Sequence, residues 1–184
     1  MSTHILIYGA PGAGKLTVAR CLAAQYGLKV LDNTLTVEAA LRLFDFGTRP
    51  FGALVERLRV DLLTAAARAD VDVVSTLVYA HPVDRIHVDR LVQATEEHDG
   101  RVTCVQLRPS RSVLERRVGE ESRAGVPKVR EVDQLRRLLD QYDLDTPVHA
   151  GDLSIDNSEL PPERAATLIA EHAGIDTCEN GDGK

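Results

Sequence analysis

Residues 9–17 read Gly-Ala-Pro-Gly-Ala-Gly-Lys-Leu-Thr, and this stretch decides the fold. It follows a short apolar run, Ile5 to Tyr8, and leads into a helical pattern. A strand, a glycine-rich loop and a helix in this order, with the spacing GxxxxGK, are typical of a phosphate-binding loop. Its glycines allow successive backbone N–H groups to point at phosphate oxygens, and the helix N-terminus adds its positive dipole end. The stretch therefore predicts that the chain binds a nucleotide.

The loop supplies the first candidate site residues. We predict nucleotide contacts from Gly9, Ala10, Pro11, Gly12, Ala13, Gly14, Lys15, Leu16 and Thr17. Lys15 is also a catalytic candidate, because its ammonium can neutralise charge on the β and γ phosphates. The common motif has a Ser or Thr that binds magnesium directly after the lysine, whereas this chain has Leu16 there and a hydroxyl one place later. Thr17 either contacts phosphate or magnesium, or only caps the helix.

Outside the loop, strand patterns and helical patterns alternate. Four further strands are predicted at residues 28–31, 71–78, 102–107 and 153–155. This order predicts an α/β fold of three layers, with a five-stranded parallel sheet flanked by helices and the ligand site at the carboxyl ends of the strands. We expect one domain over residues 1–174, a polar lid at about residues 119–130, and a flexible tail at 175–184.

Composition excludes several classes of function. The 184 residues carry a formal net charge of −6, without a run of Lys or Arg, so we expect no nucleic-acid partner. The apolar stretches are strand-length and the N-terminus has no signal-like segment, so we expect a cytoplasmic protein without a membrane partner. Cys21, Cys104 and Cys178 are far apart, without Cys/His spacing that indicates zinc, and are expected to be reduced thiols.

The loop resembles that of adenylate kinases, whose GKGT sequence corresponds to GKLT here with Leu16 in place of a glycine. Together with GKLTVAR, the Asp that ends strand two and an arginine-containing lid, it makes residues 4–173 similar to P-loop small-molecule kinases. These are the shikimate and gluconate kinases, the chloramphenicol phosphotransferases and the adenylate kinase-like proteins. The resemblance implies a nucleoside monophosphate kinase-like fold with a lid, ATP and Mg²⁺ as cofactors, and a small-molecule acceptor. It also implies that Arg117 stacks on adenine, that Arg123 is a catalytic lid arginine, and that the loop containing Asn157 passes along the adenine. Asn157 can equally be a turn residue.

The chain departs from these families at the acceptor site. Shikimate kinases carry Asp-x-Asp after strand two, and only Asp32 is present here. Their Gly-Gly-Gly after strand three is absent, as is the Asp-Gly-Phe-Pro-Arg segment of adenylate kinases. Shikimate and nucleoside monophosphates are therefore not the expected acceptors.

Asp32 is the candidate catalytic carboxylate and, with Thr17, the candidate magnesium ligand. It can orient or deprotonate an acceptor hydroxyl from the end of strand two, or it can simply cap the following helix. Substrate contacts are predicted from Asn33, Thr34, Arg49 and His81, although a lone loop histidine is often merely solvated. The charged residues around Arg117 and Arg123 can equally form a solvated face.

The leading hypothesis is an ATP- and magnesium-dependent phosphotransferase that acts on a hydroxyl of a small molecule such as an antibiotic or secondary metabolite. Strand three ends Ser75-Thr76-Leu77, without the acid that a mechanical ATPase needs. Two alternatives remain open: a nucleotide-binding switch with little phosphotransfer, and a nucleotide kinase. The sequence is compatible with a monomer or a homodimer.

Overall fold

The computed structural model describes residues 1–120, 129 and 131–176, and its centre is a sheet of five strands. The strands are β1 Thr3–Tyr8, β2 Lys29–Leu31, β3 Val73–Leu77, β4 Arg101–Leu107 and β5 Leu153–Ile155. Their order across the sheet is β2-β3-β1-β4-β5, and all neighbours are parallel. The predicted parallel sheet is confirmed.

Helices connect the strands and cover both faces of the sheet. They are α1 Lys15–Tyr26, α2 Asn33–Leu41, α3 Arg49–Arg68, α4 Arg85–Glu96, α5 Arg111–Glu120, α6 Val132–Gln141 and α7 Pro162–Ala173. In the described part of the chain, none of these helices is both long and apolar enough to cross a lipid bilayer.

Alternate residues of the central strand β1 divide the core into two sides. Ile5 and Ile7 pack in a cluster with α1 and α7. Leu6 belongs to the cluster on the other face, to which α4 contributes Val88. Because successive side chains of a strand point to opposite faces, a strand covered on both sides must be apolar at nearly every position. Burial on both faces explains the continuous apolar run Ile5 to Tyr8. Helices cover both faces of the sheet, so the three predicted layers are confirmed.

The buried face of α3 differs from the sequence prediction. The pattern favours Leu54, Leu58 and Leu62 as one inward row, but Leu62 is 46% exposed. The buried positions are instead Phe51, Val55, Leu63 and Ala67, which repeat at intervals of four or eight residues. Position 59 completes this row, so a charged side chain, Arg59, lies on the inward face of α3.

The described residues reach into both segments for which no regular structure was predicted. α5 continues through Gly119 and Glu120, the first two residues of the predicted lid. The rest of that lid, apart from Val129, lies outside the described residues, as does the predicted tail from residue 177. Ile175, the first residue of the predicted tail, packs against the core, and its N–H donates to Ala170 O over 2.9 Å.

Candidate active site

The phosphate-binding loop connects β1 to α1 at the carboxyl edge of the sheet, where the sequence predicts it. A Cβ atom on Gly9 would lie 2.4 Å from Leu107 O, so only glycine fits between the loop and β4. Gly14 is the N-cap of α1 with φ 87°, in the left-handed region that favours glycine. It has no side chain to cap the helix, and the first turn of α1 contains no acidic residue. The positive dipole end of α1 therefore faces the loop, where it favours an anion.

Lys15 lies against the inside of the loop. Its Nζ donates to Gly9 O over 2.9 Å and to Ala10 O over 2.7 Å. These bonds hold the ammonium at the mouth of the loop, where phosphates of a nucleotide would enter. The position fits the role predicted for Lys15.

A cavity of about 300 Å³, here called the loop cavity, opens beside the loop. Its lining includes Gly12, Gly14, Thr17, Arg117, Asn157, Leu160 and Pro162. Arg117 belongs to α5, and Asn157 follows β5. These two predicted nucleotide contacts are 40 residues apart in the sequence, and both lie beside the loop. Arg117 donates to Asn157 O over 2.9 Å, and Asn157 Nδ2 donates to Ala13 O over 2.8 Å.

Two features of the loop cavity fit a nucleotide. Asn157 is 4% exposed, and its side-chain oxygen Oδ1 is buried without a hydrogen-bond partner among the residues that the structure describes. A buried acceptor of this kind is costly unless a ligand supplies a donor, such as the amino group of a base. Burial and then the neighbouring charge of Arg116 lower the pKa of Arg117, and the negative charge of Glu159 offsets this only in part. Phosphate or the polarisable face of a base would supply what both groups lack.

Asp32 is the N-cap of α2, directly after β2. Its Oδ1 accepts hydrogen bonds from Thr34 N over 3.3 Å and from Thr76 Oγ1 over 3.3 Å, and its Oδ2 accepts from Thr34 Oγ1 over 2.6 Å. Thr76 also accepts from Asn33 N over 3.1 Å. The capping alternative for Asp32 is therefore correct, and Thr34 is a partner of the carboxylate. Capping leaves the catalytic role open, because it fixes the carboxylate without removing it.

Strand register explains why Asp32 lies near the loop. Leu31 pairs with Ser75 on β3, and Ser75 pairs with Leu6 on β1. The next residues along these strands are Asp32, Thr76 and Ile7, which therefore lie side by side across the sheet. Gly9, the first residue of the loop, is two residues after Ile7. Thr76, near the end of β3, thus donates its hydroxyl to the carboxylate that follows the neighbouring strand β2.

A second cavity, of about 280 Å³, lies between α2, α3 and the end of β3 and is here called the α2–α3 cavity. Most of its lining is apolar or aromatic: Val37, Phe46, Phe51, Val55, Leu77, Val78 and Leu91. Its polar lining is Asn33, Glu56, Arg59, Asp84 and His87. Asn33 places this cavity next to Asp32.

Arg59 is the principal residue of the α2–α3 cavity that the sequence interpretation missed. Its Nε donates to Thr36 Oγ1 over 3.1 Å, and its Nη2 donates to Asn33 Oδ1. Burial lowers the pKa of Arg59 to about 10. The signal in the sequence was its spacing, four residues from Val55 and from Leu63 on the inward row of α3.

Glu56 and His87 form a second polar group in the lining. Burial alone would raise the pKa of Glu56, but contacts with His87 and Arg90 outweigh it and lower the pKa. His87 Nδ1 approaches Glu56 Oε1 within 3.0 Å. Contacts with His87 and Arg90 thus hold the carboxylate in the wall of the cavity.

Two predicted acceptor residues lie elsewhere or make other contacts, and one catalytic candidate is outside the described residues. Arg49 is exposed at the first residue of α3, and the α2–α3 cavity is lined instead by the inward row that begins at Phe51. His81 contacts other residues of the chain. Its backbone N–H donates to Asp143 O over 2.7 Å, and its ring atom Nδ1 lies 2.9 Å from Tyr79 Oη. The catalytic candidate Arg123 lies outside the described residues.

The two predicted magnesium ligands line different cavities. Thr17 is exposed and lines the loop cavity, whereas Asp32 lines a small cleft with Asn33 and Thr76. Magnesium is usually held by only one or two protein carboxylates, with water and phosphate completing its shell. The metal roles of Asp32 and Thr17 therefore stay predictions, and the structure shows only that Thr17 lies beside the phosphate-binding loop.

Comparison with solved structures agrees with this architecture. The chain is similar to a tunicamycin resistance protein from Deinococcus radiodurans, at 21% identity and a TM-score of 0.70, over 96% of this chain and 98% of that chain. It is similar to a sugar kinase from Janibacter at 19% identity and a TM-score of 0.69, with 95% and 96% covered. A shikimate kinase from Aquifex aeolicus matches at 18% identity and a TM-score of 0.62, with 93% and 96% covered.

No family model matches the sequence, and a search of curated proteins finds no match. At the identities of the solved structures, likeness establishes the fold. The chain has the P-loop fold of the shikimate and gluconate kinase-like group, as the sequence resemblance implies.

Proposed function

We propose that this chain is an ATP- and magnesium-dependent phosphotransferase that acts on a hydroxyl group of a small molecule. The observation that carries the proposal is the arrangement of two cavities at one edge of the sheet, with the Asp32 network at the end of the neighbouring strands. The loop cavity fits a nucleotide, and the α2–α3 cavity is separate and large enough for a second small molecule. Transfer between two substrates requires a site for each of them, and the two cavities meet this requirement.

On the donor side, the loop and Lys15 hold the phosphates, while Arg117 and Asn157 hold the nucleoside. Magnesium, when bound with ATP, supplies positive charge that neutralises the phosphate oxygens. Lys15 adds a fixed positive charge at the same place, and charge stabilisation of this kind is usually the largest single contribution to catalysis. Arg123 is the proposed lid arginine.

On the acceptor side, Asp32 is the proposed group that orients the hydroxyl and receives its proton. Thr34 and Thr76 fix both carboxylate oxygens, so little reorganisation is needed when the acceptor binds. Asn33 is proposed to contact the acceptor directly, because it lines the α2–α3 cavity.

The lining favours an acceptor with substantial apolar surface. A small polar polyol would leave Phe46, Phe51 and the aliphatic residues around them without matching contacts. An antibiotic or another secondary metabolite with a hydroxyl group fits better. The likeness to a tunicamycin resistance protein agrees with this class, and the departures from the shikimate kinase motifs point the same way.

The test is ATP consumption with magnesium across a panel of hydroxylated antibiotics and metabolites. The variants are Lys15→Ala and Asp32→Asn, with Glu38→Gln, an exposed acid on α2, as the matched control. Because Asn also caps helices well, Asp32→Asn removes the charge and the proton acceptor while α2 keeps its cap. We expect acceptor-stimulated turnover to fall at least roughly 100-fold in Asp32→Asn, the lower range for loss of general-base catalysis.

Other outcomes distinguish the alternatives. Tight ATP binding without stimulation by any acceptor would favour a nucleotide-binding switch. Stimulation by nucleoside monophosphates alone would identify a nucleotide kinase. Full turnover in Lys15→Ala would contradict the proposed mechanism.

A further inference from the structure

The structure brings together three metal-ligating side chains that the sequence keeps far apart. One ligand atom each from Cys104, His149 and Asp152 lies within 4.8 Å of the other two. The residues are outside both cavities of the proposed active site. Their spacing of 45 and 3 residues matches no zinc motif, so no site was predicted from the sequence.

The sheet positions two of the three residues. Val105 on β4 pairs with Leu153 on β5, so Cys104 and Asp152, each one residue earlier, lie side by side. The third is brought in by a turn before β5. His149 N donates to Asp152 Oδ2 over 3.0 Å, and its ring atom Nδ1 lies 3.2 Å from Asp152 Oδ1.

A second set of contacts orients the carboxylate. Tyr8, the last residue of β1, donates its hydroxyl to Asp152 Oδ2 over 2.7 Å, and Val148 N donates to the same hydroxyl over 3.0 Å. Asp152 Oδ1 is thereby turned toward His149. Metal sites characteristically hold their ligands through such outer hydrogen bonds.

The three side chains also differ in their exposure to solvent. The Cys104 residue is 8% exposed and the Asp152 side chain 7%, whereas the His149 side chain is 42% exposed. The buried pair provides fixed ligands, and the exposed imidazole leaves the third ligand open to solvent.

We propose that Cys104, His149 and Asp152 bind one zinc ion, with water as the fourth ligand. Thiolate, imidazole and carboxylate together are a zinc donor set, and a thiolate disfavours the hard ions Mg²⁺ and Ca²⁺. Binding forms a bond from zinc to the Cys104 sulfur and releases the thiol proton to solvent. No oxidation state changes. This site is independent of the magnesium that the proposed phosphotransfer uses.

The test titrates Zn²⁺ and Co²⁺ into the full chain after chelator treatment, without nucleotide. We expect one ion per chain, and with Co²⁺ a thiolate charge-transfer band and the visible bands of tetrahedral cobalt. Loss of a ligand in Cys104→Ala or His149→Ala should weaken binding by more than the roughly 10–100-fold typical for an outer partner. Since His149 is half-exposed, its variant separates ligand loss from misfolding.

Cys21→Ala and His172→Ala are the matched controls and should bind as the wild type does. A spectrum without thiolate ligation, or binding that persists in both ligand variants, would overturn the assignment. So would binding that is lost in Asp32→Asn, because the ion would then occupy the phosphotransfer site. Absence of saturable binding would show that the three residues are only a hydrogen-bonded turn beside a buried thiol.

Discussion

At the scale of single residues, His4 connects burial to pH. It is 2% exposed in β1, with Nε2 2.7 Å from Ser75 Oγ, and burial lowers its pKa from 6.5 to about 4. The unfolded chain therefore binds a proton on this residue at higher pH than the folded chain does. The contribution of His4 to the free energy of unfolding is fully present above pH 6.5 and is lost as the pH falls toward 4. We expect His4 to contribute on the order of 3 kcal/mol to this loss.

The measurement is urea unfolding at neutral and acidic pH for wild type, His4→Gln and His172→Gln. The His4 variant should lose less stability on acidification, whereas the variant of the exposed His172 should follow the wild type. Equal losses in all three proteins would show that other groups control the acid response.

Some residues of the candidate site could be predicted from the sequence, and others could not. The phosphate loop was predictable because its function depends on consecutive backbone N–H groups, which a contiguous motif encodes. Arg59 was missed because its role depends on which row of α3 faces inward, and because charged side chains are seldom buried. The cluster of Cys104, His149 and Asp152 depends on strand register, which no local pattern contains.

At the scale of elements, the junction of β1, the loop and β4 is the tightest feature of the site. A Cβ on Gly9 would meet the backbone oxygen of Leu107 at 2.4 Å. We expect Gly9→Ala to destabilise the fold by roughly 1–3 kcal/mol, as overpacking typically does, and to weaken ATP binding. Gly52→Ala is the control, because no described atom outside its chain neighbours and its own helix backbone lies within 4 Å of the added Cβ, and Ala is favoured in a helix. Denaturant midpoints and ATP titration measure both effects, and a Gly9 variant that matched wild type would contradict the fit.

Elements themselves were predicted unevenly. β5 was predicted with its observed bounds, and the other strands within two residues, because buried parallel strands are short apolar runs. Orientation of a helix was harder to predict. Both candidate rows on α3 are rich in apolar residues, and only packing against α2 and α4 decides which one is buried.

At the scale of the whole molecule, occupancy of the loop cavity should be visible in stability, since a ligand that binds only the folded chain stabilises it. ATP at about 100 times its dissociation constant should add roughly 2.7 kcal/mol, and each 1 kcal/mol raises Tm by roughly 2–4 °C for a chain of this size. Lys15→Ala should lose most of this rise, whereas Lys29→Ala, which removes an exposed lysine of β2, should retain it. Thermal unfolding with and without magnesium-ATP is the measurement, and comparing each variant with its own unliganded form removes the contribution of the Lys15 bonds to Gly9 and Ala10. An equal rise in both variants would mean that ATP binds elsewhere, and the loop would then lose its role as the donor site.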